Sequence, residues 1–176
     1  MAFQPKGAGA PVLKKSAAAL ALLALLSPPA VAPAFATGLF TGMEGSWRGA
    51  GSLKWSTGEN ERMRCTAKYE VEDEGNTLIQ NLTCATDSTR LVVKSDITYK
   101  PAAGVITGSW SESGYGISGW VTGTASTGSI KANVDSSDKS FSAKVLVETR
   151  GAEQIVSIVP KQMEVTEVLV TMQRAR

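Results

Sequence analysis

Histidine is absent from all 176 residues of the chain. Ser-His-Asp triads, Cys-His pairs, histidine zinc sites and proximal-histidine haem ligation all need an imidazole, so the sequence excludes them. The chain has only two cysteines, too few for a closed structural zinc site. Carboxylates remain available for catalysis, but their spacing predicts no active site. We therefore expect a protein that is not an enzyme and holds no metal or cofactor.

Acidic residues are also missing from the start of the chain, where none precedes Glu44 although three lysines do. Residues 17–26 form an unbroken Ala/Leu run, which has the length of a signal-peptide core and is too short to span a membrane. Small residues then lead to Ala34 and Ala36. This order predicts a secretory signal peptide over residues 1–36, cleaved after Ala36. The alternative is a buried Ala/Leu helix.

The positive charge of the chain belongs to this leader. Beyond residue 36 lie 15 basic and 16 acidic residues, a net charge of about −1. Beyond the leader the sequence has no basic patch that would indicate binding to nucleic acid, so we expect no nucleic-acid partner. The predicted mature protein is a single domain that is periplasmic or extracellular, with no transmembrane segment after cleavage.

Helical periodicity is missing from residue 44 onward, where short alternating apolar and polar runs are separated by Gly, Asn, Asp, Ser or Pro. The runs predict strands at 44–55, 61–72, 77–86, 89–99, 104–112, 116–125, 128–134, 140–149, 153–160 and 164–174. Their short connections are typical of antiparallel hairpins, and such a series tends to close because closure removes sheet edges. The predicted fold is all-β, an up-and-down barrel of about 8–10 strands.

The two cysteines fit one of these hairpins. Residues 73–76 form a turn signal, and a hairpin centred between Glu74 and Gly75 places Cys65 directly opposite Cys84. Directly opposed cysteines lie within disulfide reach, and an oxidising compartment permits the bond. The prediction is an inward-facing Cys65–Cys84 disulfide, and the alternative is two free buried cysteines.

The first predicted strand carries large and very small residues on one face. Its odd positions are Gly45, Trp47, Gly49, Gly51, Leu53 and Trp55. This arrangement indicates a tightly bent strand that its neighbours approach closely.

The Gly-x-Trp-x-Gly-x-Gly opening resembles that of calycin-type barrels, the group of lipocalins, fatty-acid-binding proteins and nitrobindin-like proteins. In those folds the opening-strand tryptophan closes one barrel end, beneath an Arg or Lys from the last strand. The resemblance implies the same closure here by Trp47 and Arg174, through a cation–π contact. The haem-binding members of this group use a histidine as the iron ligand. This chain has no histidine, so the resemblance does not imply that it binds haem.

Gly-Ser-Trp recurs at residues 108–110, within a second glycine- and aromatic-rich region. We interpret Trp110, Tyr115 and Trp120 as an aromatic rim at the barrel mouth that binds a flat or apolar ligand, with Tyr69 as a further ligand-binding residue. The alternative is that these aromatics only pack in the barrel core and turns.

The leading hypothesis is an exported, non-catalytic barrel that binds a small apolar or amphipathic ligand. The alternative is a protein inhibitor or a cell-envelope interaction protein that acts through the barrel surface or an N-terminal arm. Residues 37–43 are the candidate arm, with Leu39 and Phe40 as its apolar anchor. The same segment is equally suited to plug the barrel.

We expect the exported protein to begin at Thr37, because the small residues Ala34 and Ala36 precede that bond. N-terminal sequencing and intact-mass measurement of the secreted material test this. A mature protein that retains residues 1–36 would contradict it.

Overall fold

The structure, a computed structural model, describes residues 38–176; the signal peptide predicted over residues 1–36 therefore lies outside the described residues. Ten strands follow one another along this part of the chain. They are β1 (Gly45–Trp55), β2 (Asn60–Glu72), β3 (Thr77–Ala85), β4 (Arg90–Lys100), β5 (Val105–Glu112), β6 (Ile117–Ser126), β7 (Ser129–Ser136), β8 (Ser142–Arg150), β9 (Glu153–Pro160) and β10 (Val165–Arg174). Each observed boundary lies within two residues of its prediction.

Every strand pairs antiparallel with its sequence neighbours, and β1 also pairs with β10. The result is a closed ten-stranded barrel, so the predicted fold is confirmed. Closure leaves no unpaired sheet edge. A single 3₁₀ turn, Asp73–Gly75, links β2 to β3, and no helix among the described residues has the length and apolar character needed to cross a bilayer.

The core lies inside the barrel because residues alternate between the two faces of each strand. In β2, the inward residues from Met63 to Tyr69 are all buried, while the residues between them are exposed. Side chains from several strands complete the core, among them Leu53, Ile106, Val121, Val170 and Met172.

The cysteine hairpin has the predicted register. Arg64 pairs with Ala85, Cys65 with Cys84 and Glu72 with Thr77, and the two cysteines form a disulfide. Both cysteines are buried and face the interior. The predicted disulfide is confirmed.

Two inward-facing glycines show how closely the strands approach. A Cβ added to Gly51 of β1 would overlap the carbonyl oxygen of Leu169 on β10, and one added to Gly119 of β6 would overlap that of Asp135 on β7. No other residue type fits these positions without moving a strand. The close approach predicted for the opening strand is therefore present.

Residues 38–43 close the barrel end that holds the β2–β3 turn. The backbone N–H of Phe40 donates to the carbonyl of Gly75, and the Phe40 side chain is 0% exposed. Trp47 lies beside it, also fully buried, and its indole N–H donates to the Met43 carbonyl at 2.9 Å. The sequence predicts that this segment is either an N-terminal arm or a plug of the barrel, and it packs as a plug.

Loss of the disulfide is expected to lower the free energy of unfolding by about 2–3 kcal/mol, because the bond closes a loop with a sequence separation of 19 in the unfolded chain. Urea unfolding of a Cys65→Ser/Cys84→Ser variant measures the change. Wild-type protein in reducing buffer is the control and should lose a similar amount. Equal stability of oxidised wild type and variant would contradict the prediction.

Candidate ligand-binding surface

Two neighbouring grooves lie on the outer face of the barrel wall formed by β3, β4, β5 and β6. Both are shallow and wide open to solvent, with volumes of about 410 Å³ and about 500 Å³. Both grooves are lined by Asp96, Ser109 and Trp120, so these three residues lie between them. We call the two grooves, with this shared row, the outer-face site.

Strand register brings the shared row together. Asp96 of β4 pairs with Ser109 of β5, and Ser109 pairs with Trp120 of β6. Directly paired residues on one face have side chains close enough to contact the same ligand. Trp120 lies inside its strand and not at a turn, yet it is 63% exposed.

The rest of the lining is small and polar. Outward-facing lining residues of the first groove are Ile79, Asn81, Lys94, Ser111, Ser118 and Ser137, and those of the second are Thr98, Thr107 and Thr122. Within residues 38–176, none of these polar side chains is engaged in a side-chain hydrogen bond, whereas Asp135 beyond Trp120 accepts one from Ser142. The outer-face site therefore offers hydroxyl and amide groups that are available to a ligand.

The grooves overlie two inward-facing glycines. Gly119, next to Trp120, faces inward against the backbone of β7, and Gly108 of β5 similarly faces the backbone of β4. Most of the outward side chains above them are Ser or Thr, and the space between these small side chains forms the grooves.

The predicted aromatic rim does not form as one surface. Trp110 pairs with Gly119, so the inward positions have even numbers in β5 and odd numbers in β6. Trp110 accordingly lies inside the barrel, where its indole N–H donates to the Asp135 carbonyl at 3.3 Å and its ring packs edge-on against Phe141. Trp120 lies outside. Both tryptophans line the first groove, but only Trp120 offers it an exposed ring.

Tyr115, the third predicted rim residue, occupies the β5–β6 turn and lines neither groove. It is 67% exposed. The buried Glu112 carboxylate holds this turn by accepting the backbone N–H groups of Val92, Gly114 and Tyr115 at 3.0, 2.9 and 2.7 Å. Desolvation raises the pKa of Glu112, but the three N–H donors outweigh it and hold the pKa below its ordinary value.

Tyr69 belongs to the plugged end of the barrel. Its hydroxyl donates to the Gln154 side chain at 2.7 Å, and its ring lies 5.8 Å from that of Trp47. Burial raises the pKa of the Tyr69 hydroxyl well above its ordinary value, although the bond to Gln154 opposes the shift. The hydroxyl therefore stays protonated and serves as a hydrogen-bond donor.

Trp47 and Arg174 are directly paired across β1 and β10. The Arg174 guanidinium carbon lies 5.1 Å from the centre of the Trp47 ring, within cation–π range. This is the contact that the calycin resemblance implies. It places the cation at the same end as the Phe40 plug.

No protein-family model matches the sequence, and no curated protein matches it either. Among solved structures, the S-type phycobiliprotein lyase CPES from Guillardia theta is similar, with a TM-score of 0.57 and 11% sequence identity. The likeness covers 78% of this chain and 90% of the lyase. At this identity the likeness shows a shared fold alone, an antiparallel β-barrel.

Glu112→Gln is expected to lower the free energy of unfolding by about 1–3 kcal/mol at pH 7, because the side-chain NH₂ would face backbone N–H donors. A folded-state pKa below the ordinary 4.5 means that the carboxylate stabilises the protein above pH 4.5 and loses this effect as the pH falls through the lowered value. Urea unfolding at several pH values should show that the difference in free energy of unfolding between wild type and Glu112→Gln becomes smaller in acid.

Glu167→Gln, on the outer face of β10, is the matched control and should change stability little at any pH. A Glu112→Gln deficit that persists unchanged in acid would contradict the proposed role of the carboxylate.

Proposed function

We propose that this chain is an exported, non-catalytic protein that binds a small amphipathic ligand in the outer-face site. The observation that carries the proposal is Trp120, which is 63% exposed within a strand and flanked on both sides by a groove. Exposed aromatic surface beside concave polar surface is typical of recognition sites.

The free energy gained when a ligand covers the exposed Trp120 ring is large enough to contribute to binding. Covering a whole tryptophan side chain removes 150–250 Å² from water. At about 25 cal/mol per Å², covering the exposed part of Trp120 contributes roughly 3 kcal/mol. A ligand stacked on one face of the ring gains about half of that, which corresponds to roughly tenfold in affinity.

The barrel interior is a weaker candidate. Large side chains occupy it, including Trp110 at the level of the outer-face site and Trp47, Phe40 and Met172 toward the plugged end. The two grooves, by contrast, open to solvent and are already formed. The ligand site proposed here therefore differs from an aromatic rim at the barrel mouth.

The absence of catalysis is part of the proposal. The Glu112 carboxylate accepts backbone hydrogen bonds that hold the β5–β6 turn. Glu148 and Glu167 lie on β8 and β10, away from the outer-face site. Among the described residues, no three His, Cys, Asp or Glu side chains gather as a metal site. The similar lyase supports the choice of scaffold only, since the likeness is one of fold.

Export is proposed from the leader sequence and the disulfide, which suits an oxidising compartment. The alternative function is an inhibitor or cell-envelope interaction protein that acts through the barrel surface or an N-terminal arm, and the packing of residues 38–43 disfavours the arm. Phe40, the expected anchor of such an arm, is buried in the barrel end and has no surface left for a partner.

Saturation-transfer NMR tests the proposal by screening mature protein against a mixed library of saccharides, aromatic compounds and short-chain lipids. We expect at least one binder whose signal is lost in Trp120→Ala. Tyr115→Ala is the matched control, because it removes an equally exposed aromatic outside the grooves and should leave binding intact. Library members that bind equally well to wild type and Trp120→Ala, or no binder at all, would contradict the proposed site.

A further inference from the structure

We infer that the ligand of the outer-face site is an uncharged oligosaccharide that lies along β5 and β6 across Trp120. This inference rests on the proposed function and adds the ligand class. Three features of the site carry it: a flat exposed ring, a lining rich in hydroxyl groups, and two grooves in line.

The ring is placed for stacking. Pyranose sugars present a face of C–H groups that packs against aromatic rings, while their hydroxyl groups point outward around the edge. Trp120 supplies the ring, Ser109 lies directly beside it on β5, and Asp96 lies one strand beyond Ser109, on β4. A sugar stacked on Trp120 therefore has the Ser109 hydroxyl beside its edge, with the Asp96 carboxylate beyond it.

The lining matches a ligand with many hydroxyl groups. Seven outward-facing hydroxyl side chains line the two grooves: Ser109, Ser111, Ser118, Ser137, Thr98, Thr107 and Thr122. Each can both donate and accept a hydrogen bond, as a sugar hydroxyl can. Asn81 adds an amide with the same dual capacity.

Other ligand classes fit less well. A hydrocarbon chain needs an enclosed apolar cavity, but both grooves are shallow and open to solvent, and Ile79 is the one aliphatic side chain that faces outward in the first. An anionic ligand needs an excess of positive charge, but Lys94 and Asp96 both face outward on β4, so the two side chains give the first groove no net charge. Single-stranded nucleic acid needs a basic channel beside its stacking platform, and one lysine does not provide it.

The two grooves indicate a chain and not a single ring. Ser118 lines the first groove and Thr122 the second, with Trp120 midway between them on β6. Four residues of strand span about 13 Å, which is longer than one sugar ring. A ligand of several units is therefore expected to occupy both grooves and to cross Trp120.

The apolar surface on the opposite side of the barrel is different in kind. Leu146 of β8 and Leu169 of β10 both pair with Ser157 of β9, and both leucines are exposed. This surface has no exposed aromatic ring. It therefore provides a control position for the test.

The experiment is isothermal titration of mature protein with cellotetraose, maltotetraose, xylotetraose and tetra-N-acetylchitotetraose, and with the matching monosaccharides. We expect at least one tetrasaccharide to bind, and to bind at least tenfold more tightly than its monosaccharide. Trp120→Ala should weaken this binding tenfold or more, and Ser109→Ala and Asp96→Asn several-fold. Tyr115→Ala and Leu169→Ala should leave it unchanged. Because the ligand is uncharged, affinity should not change between 0.05 and 0.5 M NaCl.

Three results would overturn the inference. If no saccharide binds while an aromatic or lipid compound from the library binds in a Trp120-dependent way, the ligand class is wrong and the proposed function stands. If a tetrasaccharide binds Trp120→Ala as tightly as wild type, the saccharide does not use the outer-face site. Absence of any Trp120-dependent binder would overturn both the inference and the proposed function.

Discussion

Backbone contact at inward-facing glycines is the constraint on which the barrel depends. Gly51 lets β1 approach β10, the pair that closes the sheet, and Gly119 lets β6 approach β7. A side chain at either position would push two strands apart. Gly119 also lies next to Trp120, so one of these close strand approaches lies directly beneath the outer-face site.

The plugged end and the outer-face site have different compositions. At the plugged end, Phe40, Trp47 and Tyr69 are buried, Trp47 lies under Arg174, and the polar atoms of Trp47 and Tyr69 have protein partners. At the outer-face site Trp120 is exposed, and among the described residues the outward-facing polar side chains that line the two grooves have no side-chain hydrogen-bond partner. The first arrangement stabilises the fold, whereas the second is available for recognition.

Much of the fold could be predicted because strands obey simple periodicities. Alternation located all ten strands, and the turn before Asn76 fixed the register that pairs Cys65 with Cys84. The sequence did not show which face of the sheet each rim residue occupies, because this depends on strand register: Trp110 pairs with Gly119, so Trp120 lies on the opposite face from Trp110. The burial of Phe40 and the grooves between serines depend on contacts distant in sequence, which local patterns do not encode.

The most direct test of the central claim, that the ligand binds outside the barrel at Trp120, is ¹⁹F NMR of protein labelled with 5-fluorotryptophan. The four tryptophans give four signals, each assigned by substitution. Addition of the four tetrasaccharides together should shift the Trp120 signal and leave those of Trp47 and Trp110 in place. A shift of the Trp110 or Trp55 signal with Trp120 unchanged would place the ligand inside the barrel and contradict the account.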